Sequence, residues 1–154
     1  MRRVTILLAV AVFVYTLPAY GAECVFNVDT GKWITAGNWT PEGPPTANDN
    51  AWIHGYKVDG VVYERTATIS AGEAAETATL TLGYETGDPP GCRTPGHVVM
   101  DGGTLNAEMI VIHYGDGTSF TQNGGTVNIS GGGSSYLLRV GWNGSSNAVY
   151  NLNG

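Results

Sequence analysis

Short runs of β-prone residues, separated by glycine-rich turns, follow one another from residue 61 to the end of the chain. The runs are about four or five residues long and rich in Val, Ile, Thr and Leu. Within 79–82 hydroxyl and aliphatic side chains alternate, which indicates one buried and one exposed face. The pattern predicts strands at 61–63, 66–69, 78–82, 97–100, 109–112, 119–122, 126–129, 136–140 and 148–152.

Two kinds of strand ending recur along these runs. Strands that end in a single glycine lie at 80–83, 112–115 and 138–141. Strands that end in paired glycines lie at 100–106 and 122–128, and a third copy begins at 152–154. The two complete paired-glycine segments are about 22 residues apart, which is a spacing typical of stacked structural repeats.

The recurrence of glycine has a conformational reason. A tight corner between strands needs a positive φ, which glycine adopts at little cost. A period near 22 residues with several short strands fits one coil of a parallel β-helix, whose coils bury their apolar residues only by stacking. An antiparallel β-sandwich uses similar strands and remains the alternative, although it does not require the same turn at fixed intervals.

The segment 23–60 has a different texture, with prolines, glycines and three tryptophans but no regular alternation. We expect an irregular segment that caps the open end of the β-helix, with its tryptophans as plugs. The alternative for exposed aromatic residues is stacking on a saccharide. The candidates for carbohydrate stacking are Trp33, Trp39, Trp52 and Trp142.

The first 22 residues have the layout of a secretory signal peptide. Two arginines precede an apolar run at 4–17, and the small residues Ala19 and Gly21 flank Tyr20 as in a cleavage site. The apolar run, about 14 residues, is shorter than the span a bilayer requires. The predicted organisation is therefore a signal peptide at 1–22, a capping segment at 23–60 and β-solenoid repeats at 61–154. This organisation predicts a secreted protein with no membrane span after the signal peptide is cleaved.

Composition and charge narrow the class of partner. Glycine contributes 23 of the 154 residues and charged residues only 13%, which disfavours long helices. The formal net charge is −6, and no basic patch is present. Because nucleic acids and anionic membranes are bound through Lys and Arg, neither is an expected partner.

The chain contains two cysteines, Cys24 and Cys92. Export from the cytoplasm permits a disulfide between them, and two unpaired thiols on separate loops are the alternative. Two cysteines this far apart in sequence do not have the spacing of a metal site.

A search for chemistry finds no motif for catalysis, a cofactor or a metal. His54, His97 and His113 do not have metal-ligand spacing, and no nucleophile elbow or phosphate loop is present. The carboxylates at Asp101 and Asp116 lie on separate turns, without the paired arrangement of a glycoside hydrolase. The sequence therefore predicts a protein without enzymatic activity and without catalytic, cofactor-binding or metal-binding residues.

The N-terminal aromatic segment carries a resemblance to a known group of proteins. Its pattern runs through Trp33, 37–39, 44–45 and 49–53, and strand-like runs follow at 80–83 and 117–127. This arrangement resembles autotransporter-like and PEP-CTERM-type bacterial surface proteins. The resemblance implies a secreted right-handed parallel β-helix at the cell surface or outside the cell.

These observations predict a non-catalytic β-solenoid segment with a structural or adhesive role. The expected partners are extracellular polysaccharide or cell-surface components, together with end-to-end self-association of uncapped coils. Two alternatives remain: a carbohydrate-binding module, and the non-catalytic part of a polysaccharide-degrading β-helix enzyme. Because proteins of this kind usually continue for many coils, we also expect the chain to be a fragment.

Overall fold

The computed structural model describes residues 21–87, 90–113, 115–131, 137–141 and 147–153, with the side chains of 85–92 excepted. The predicted signal peptide therefore lies almost wholly outside the described residues. Within the described ranges the chain is all-β, and its one helical element is a short 3-10 helix at Ala36–Asn38. No helix in those ranges is both long and apolar enough to cross a membrane.

The strands are numbered in chain order. They are β1 (Glu23–Phe26), β2 (Thr30–Lys32), β3 (Trp39–Thr40), β4 (Asn50–Ile53), β5 (Tyr56–Val58), β6 (Val61–Tyr63), β7 (Arg65–Ile69), β8 (Ala74–Leu82), β9 (Tyr84–Gly87), β10 (Pro90–Thr94), β11 (Gly96–Ile112), β12 (Ser119–Ile129), β13 (Leu138–Val140) and β14 (Val149–Leu152).

One curled sheet contains ten of these strands, and among the described residues its pairing is almost entirely parallel. The exception is the antiparallel pair of β1 with β3. Two antiparallel hairpins, β5–β6 and β9–β10, stand outside the main sheet. The fold is therefore a mixed all-β arrangement dominated by parallel ladders, whereas a sandwich of antiparallel sheets would pair its neighbouring strands in the opposite sense.

Strand segments from distant parts of the chain lie side by side in three rows. The first row contains 23–26, 50–53, 79–82, 109–112 and 138–140. The second row contains 30–32, 65–69, 96–100, 119–122 and 149–152. The third row contains 74–77, 104–107 and 126–129. The long strands β8, β11 and β12 each contribute to more than one row.

The core follows from the alternation of side chains along these rows. In the first row Ala51 pairs with Leu80, and Leu80 pairs with Ile110, and all three are fully buried. In the second row Val98 pairs with Phe120, which is also fully buried. Because successive strand residues point to opposite faces, in-register stacking places apolar side chains from each row in one core. Burial of each large aliphatic side chain contributes about 1.5–3 kcal/mol.

The paired-glycine turns form a corner between the second and third rows. Gly103 and Gly125 have φ values of 75° and 81°. A Cβ on Gly125 would lie 2.5 Å from the carbonyl oxygen of Gly103, so both conformation and space require glycine here. The side-chain amide of Asn123 donates to Asp101 Oδ1 at 2.8 Å, and that of Asn153 donates to Asn123 Oδ1 at 2.9 Å. These hydrogen bonds join equivalent corner positions of neighbouring strands.

The single-glycine strand endings align differently from the sequence-based prediction. Leu82 pairs with Ile112, and Ile112 pairs with Val140. His113 therefore occupies the place equivalent to Gly83 and Gly141, whereas the sequence alignment had placed Gly115 there. The number of residues between equivalent positions of neighbouring strands also varies. Outward side chains that are hydrogen-bonded to each other are 22 residues apart in sequence in one case and 30 in another. Loops of different length between the rows account for this variation.

The segment 23–60 is more regular than expected. It contributes β1 to β5, and β4 pairs in parallel with β8 as part of the first row. Trp33 and Trp39 are buried, and the Trp39 ring makes T-shaped contacts with Trp33 at 4.9 Å and with Phe26 at 5.1 Å between ring centroids. The segment therefore adds both strands and buried aromatic residues to the core.

Candidate functional site

An open pocket of about 380 Å³ lies on the outward side of the first strand row. Three of its lining residues alternate with core residues along β1 and β4, one directly follows β4, and one begins β9. The lining consists of Glu23, Val25, Trp52, His54 and Tyr84. Its volume lies within the roughly 300–1,000 Å³ typical of small-molecule sites.

Parallel pairing of β1 with β4 places a carboxylate beside two donors. Glu23 pairs with Asn50, and Val25 pairs with Trp52. The Asn50 side-chain amide donates to Glu23 Oε1 at 2.8 Å, and the Trp52 indole N–H donates to Glu23 Oε2. These two hydrogen bonds orient the carboxylate while leaving further lone pairs on both oxygens.

Aromatic rings form the apolar walls of the pocket. The rings of Trp52 and Tyr84 are nearly perpendicular, at 86°, with centroids 5.8 Å apart. The His54 ring lies 5.1 Å from the Tyr84 ring at an angle of 34°. Tyr84 is 40% exposed and Trp52 is partly buried. The pocket therefore combines accessible aromatic surface with one carboxylate.

His54 is a neutral member of this group at pH 7. Burial lowers the pKa of its imidazole, and the charge of Arg65 lowers it further, while a hydrogen bond to the Gly55 carbonyl opposes both. Nδ1 lies 2.8 Å from that carbonyl oxygen. Because a carbonyl only accepts, the geometry assigns the proton to Nδ1 and makes Nε2 an acceptor.

The structure separates the four tryptophans that were candidates for carbohydrate stacking. Trp33 and Trp39 are 0% and 2% exposed, so neither presents a ring face to a ligand. The indole N–H of Trp39 instead donates to the Trp33 carbonyl at 2.7 Å. Trp52 lines the pocket, and Trp142 lies outside the described residues. For Trp33 and Trp39 the stacking hypothesis is therefore replaced by a role in the core.

The predicted disulfide stays a prediction. Cys24 is a buried free cysteine on the inward side of β1, and the side chain of Cys92 lies outside the described part of the chain. Burial raises the pKa of the Cys24 thiol, and the charges of Asp49 and Glu23 raise it further. The thiol is therefore in its protonated form at neutral pH.

Glu23, His54 and Tyr84 were not identified as site residues from the sequence. Glu23 and Trp52 meet only because β1 and β4 pair at a particular register, and Tyr84 comes from a separate hairpin. The sequence signal that could have identified Trp52 is the alternation in 50–53. It places Trp52 on the face of β4 that points away from the core, while Ala51 and Ile53 are buried. Within the described residues no group of three or more His, Cys, Asp or Glu side chains could hold a metal ion.

Neither protein-family models, nor curated proteins, nor solved structures match this chain.

Proposed function

We propose that this chain is a non-catalytic β-solenoid segment of a bacterial cell-surface or extracellular protein, with a structural or adhesive role. The proposal includes its finer architecture, a right-handed parallel β-helix. The observation that carries it is the stacking of distant strand segments in three parallel rows around one core. Stacked parallel strands form a rigid scaffold whose outward side chains make a repeating surface.

Export provides the test of this function. The full chain, expressed in a Gram-negative bacterium, should leave the cytoplasm and have an intact mass that lacks residues 1–22. The double substitution Leu7→Arg/Leu8→Arg places charge in the apolar run and should retain the protein in the cytoplasm.

The matched control carries Val58→Arg and Val61→Arg, which add the same charge to exposed positions of the β5–β6 hairpin. This variant should be exported like the parent. A parent protein that remains cytoplasmic with an intact N-terminus would contradict the proposed location.

Carbohydrate binding is the second candidate function. The observation that favours it is the open pocket on the first strand row, here called the Trp52 pocket. Sugar rings combine apolar C–H faces with hydroxyl donors. The aromatic walls complement the first feature, and the Glu23 carboxylate and the His54 imidazole complement the second. A saccharide that binds here should change the intrinsic fluorescence of Trp52, whereas the buried Trp33 and Trp39 are shielded from it.

A further inference from the structure

The lining of the Trp52 pocket has a charge preference as well as a shape. Glu23 is the one formally charged side chain among its lining residues, and His54 is neutral. The chain as a whole carries a net charge of −6. A ligand with a carboxylate or sulfate would be repelled, while a cation would be attracted both locally and at long range.

The basic residue whose charge acts on His54 does not reverse this preference. Arg65 affects the pKa of His54 through its charge but is not a lining residue. Its guanidinium donates to the Phe26 carbonyl at 2.6 Å and lies 5.0 Å from the centroid of the Tyr56 ring. These contacts hold the positive charge beside the β5–β6 hairpin.

Aromatic walls beside a carboxylate are suited to an organic ammonium group. A cation is attracted to the face of an indole or phenol ring, and a carboxylate adds a charge-assisted hydrogen bond. Two donors already hold the Glu23 carboxylate in position, so ligand binding costs little reordering there.

We propose that the Trp52 pocket binds an organic ammonium group attached to an apolar face, as found in a polysaccharide of non-acetylated amino sugars. This inference rests on the second candidate function, carbohydrate binding, and specifies its ligand class. A small quaternary ammonium compound is the other source of the same chemistry.

Isothermal titration calorimetry of the full chain with matched tetrasaccharides tests the inference. The ligands are a glucosamine tetramer, an N-acetylglucosamine tetramer, cellotetraose and tetragalacturonate, with choline as the small ammonium compound. The glucosamine tetramer should bind about tenfold or more tightly than its acetylated counterpart, because acetylation removes the charge. Tetragalacturonate should bind most weakly.

Two pairs of variants separate the pocket from general attraction of a cation to an acidic protein. Glu23→Gln should weaken glucosamine binding about tenfold, whereas Glu76→Gln, which removes the same charge from an exposed position of β8, should not. Tyr84→Leu should weaken glucosamine binding without removing either hydrogen bond to Glu23. Its control, Tyr63→Leu, removes a similarly exposed tyrosine outside the lining. Circular dichroism confirms that each variant is folded.

The outcomes distinguish the inference from the function on which it rests. Equal affinity for the glucosamine, N-acetylglucosamine and cellulose tetramers would leave carbohydrate binding standing and overturn the ammonium preference. Binding of choline without binding of any sugar would support the ammonium site and overturn its polysaccharide source. If no ligand binds, both the ammonium site and the carbohydrate function are wrong, while the proposed scaffold role is unaffected.

Discussion

At the scale of single residues, Asp49 ties the start of the first strand row to the loop before β4. Its Oδ1 accepts the backbone N–H of Ala22 at 2.6 Å, and its Oδ2 accepts the backbone N–H and hydroxyl of Thr46 at 2.9 and 2.6 Å. The side-chain and backbone hydrogen bonds from Thr46 lower the pKa of the Asp49 carboxyl, and the bond from Ala22 acts in the same direction.

These hydrogen bonds predict a pH-dependent stability. Because the folded pKa lies below the ordinary value of 3.8, the ionised carboxylate stabilises the fold above that pH. The contribution is lost as pH falls through the folded pKa. Asp49→Asn should reduce the free energy of unfolding at pH 7 by about 1 kcal/mol, a value that allows for solvent screening of this partly exposed group.

Urea denaturation at pH 7 and at a pH below the folded pKa measures the effect. The free energies of unfolding of the parent and of Asp49→Asn should converge at the lower pH. Asp59→Asn is the control, because it makes the same change of charge in a hairpin turn whose positive φ asparagine also tolerates. An equal loss in both variants, or a loss that persists in acid, would show that the Asp49 hydrogen bonds do not stabilise the fold.

At the scale of elements, the register between β11 and β12 defines the third strand row. Asn106 pairs with Asn128, and the Asn128 amide donates to Asn106 Oδ1 at 2.9 Å. Paired positions of adjacent strands lie within the Cα separation that a disulfide requires, and positions two residues out of register do not.

Cysteine cross-linking therefore tests the parallel stacking directly. Asn106→Cys/Asn128→Cys should form a disulfide under mild oxidation, whereas Thr104→Cys/Asn128→Cys, which is two residues out of register, should not. Non-reducing peptide mapping identifies the bond and distinguishes it from any bond to Cys24 or Cys92. Cross-linking of the out-of-register pair alone would mean that the register, and with it the third row, is wrong.

The β5–β6 hairpin has a turn signal in the sequence, although the sequence pattern predicted only its second strand, at 61–63. Asp59 and Gly60 have φ values of 49° and 83°, as in the two-residue turn that best matches the twist of a hairpin. An Asp-Gly pair between two valines is a strong local signal for this turn. The hairpin interrupts the interval between the first and second rows, which is one reason why a constant period failed to describe the chain.

At the scale of the whole molecule, β14 forms an edge of the main sheet. Val149 and Leu152 on this strand are 40% and 70% exposed. An exposed apolar edge strand is a template for pairing with another chain. If the proposed end-to-end self-association occurs, we expect this edge strand to take part in it.

Sedimentation velocity over a range of protein concentrations should detect this association. Leu152→Lys places a charge on the edge strand and should shift the equilibrium to the monomer by about tenfold or more in dissociation constant. Val62→Lys, at an exposed position of the hairpin, is the control and should leave the association unchanged. A parent chain that stays monomeric at every concentration would contradict the prediction.

Local patterns accounted for much of the fold because they depend on near neighbours. Alternation in 79–82 correctly placed Leu80 and Leu82 in the core, and the paired glycines correctly marked a corner at Gly103 and Gly125. The alignment of 100–106 with 122–128 also identified segments that lie side by side. The single-glycine endings predicted the wrong alignment, because the equivalent position can hold His113, which lacks the positive φ of Gly83 and Gly141.

Most residues of the candidate site could not be predicted from the sequence. Trp52 was one of four tryptophans proposed as alternatives for carbohydrate stacking, and its partners depend on pairing across the fold. Glu23 is 29 residues from Trp52, and nothing local to either residue specifies their register.

The sequence by itself determined that this protein is all-β, with short strands, glycine corners and alternating buried and exposed positions in the core strands, because these properties depend on local conformation and on side-chain alternation. Only the tertiary structure decided which strands are neighbours. That choice depends on how loops of unequal length bring distant segments into register. It buried Trp33 and Trp39, left Trp52 at the surface, and brought Glu23, His54 and Tyr84 to the same pocket.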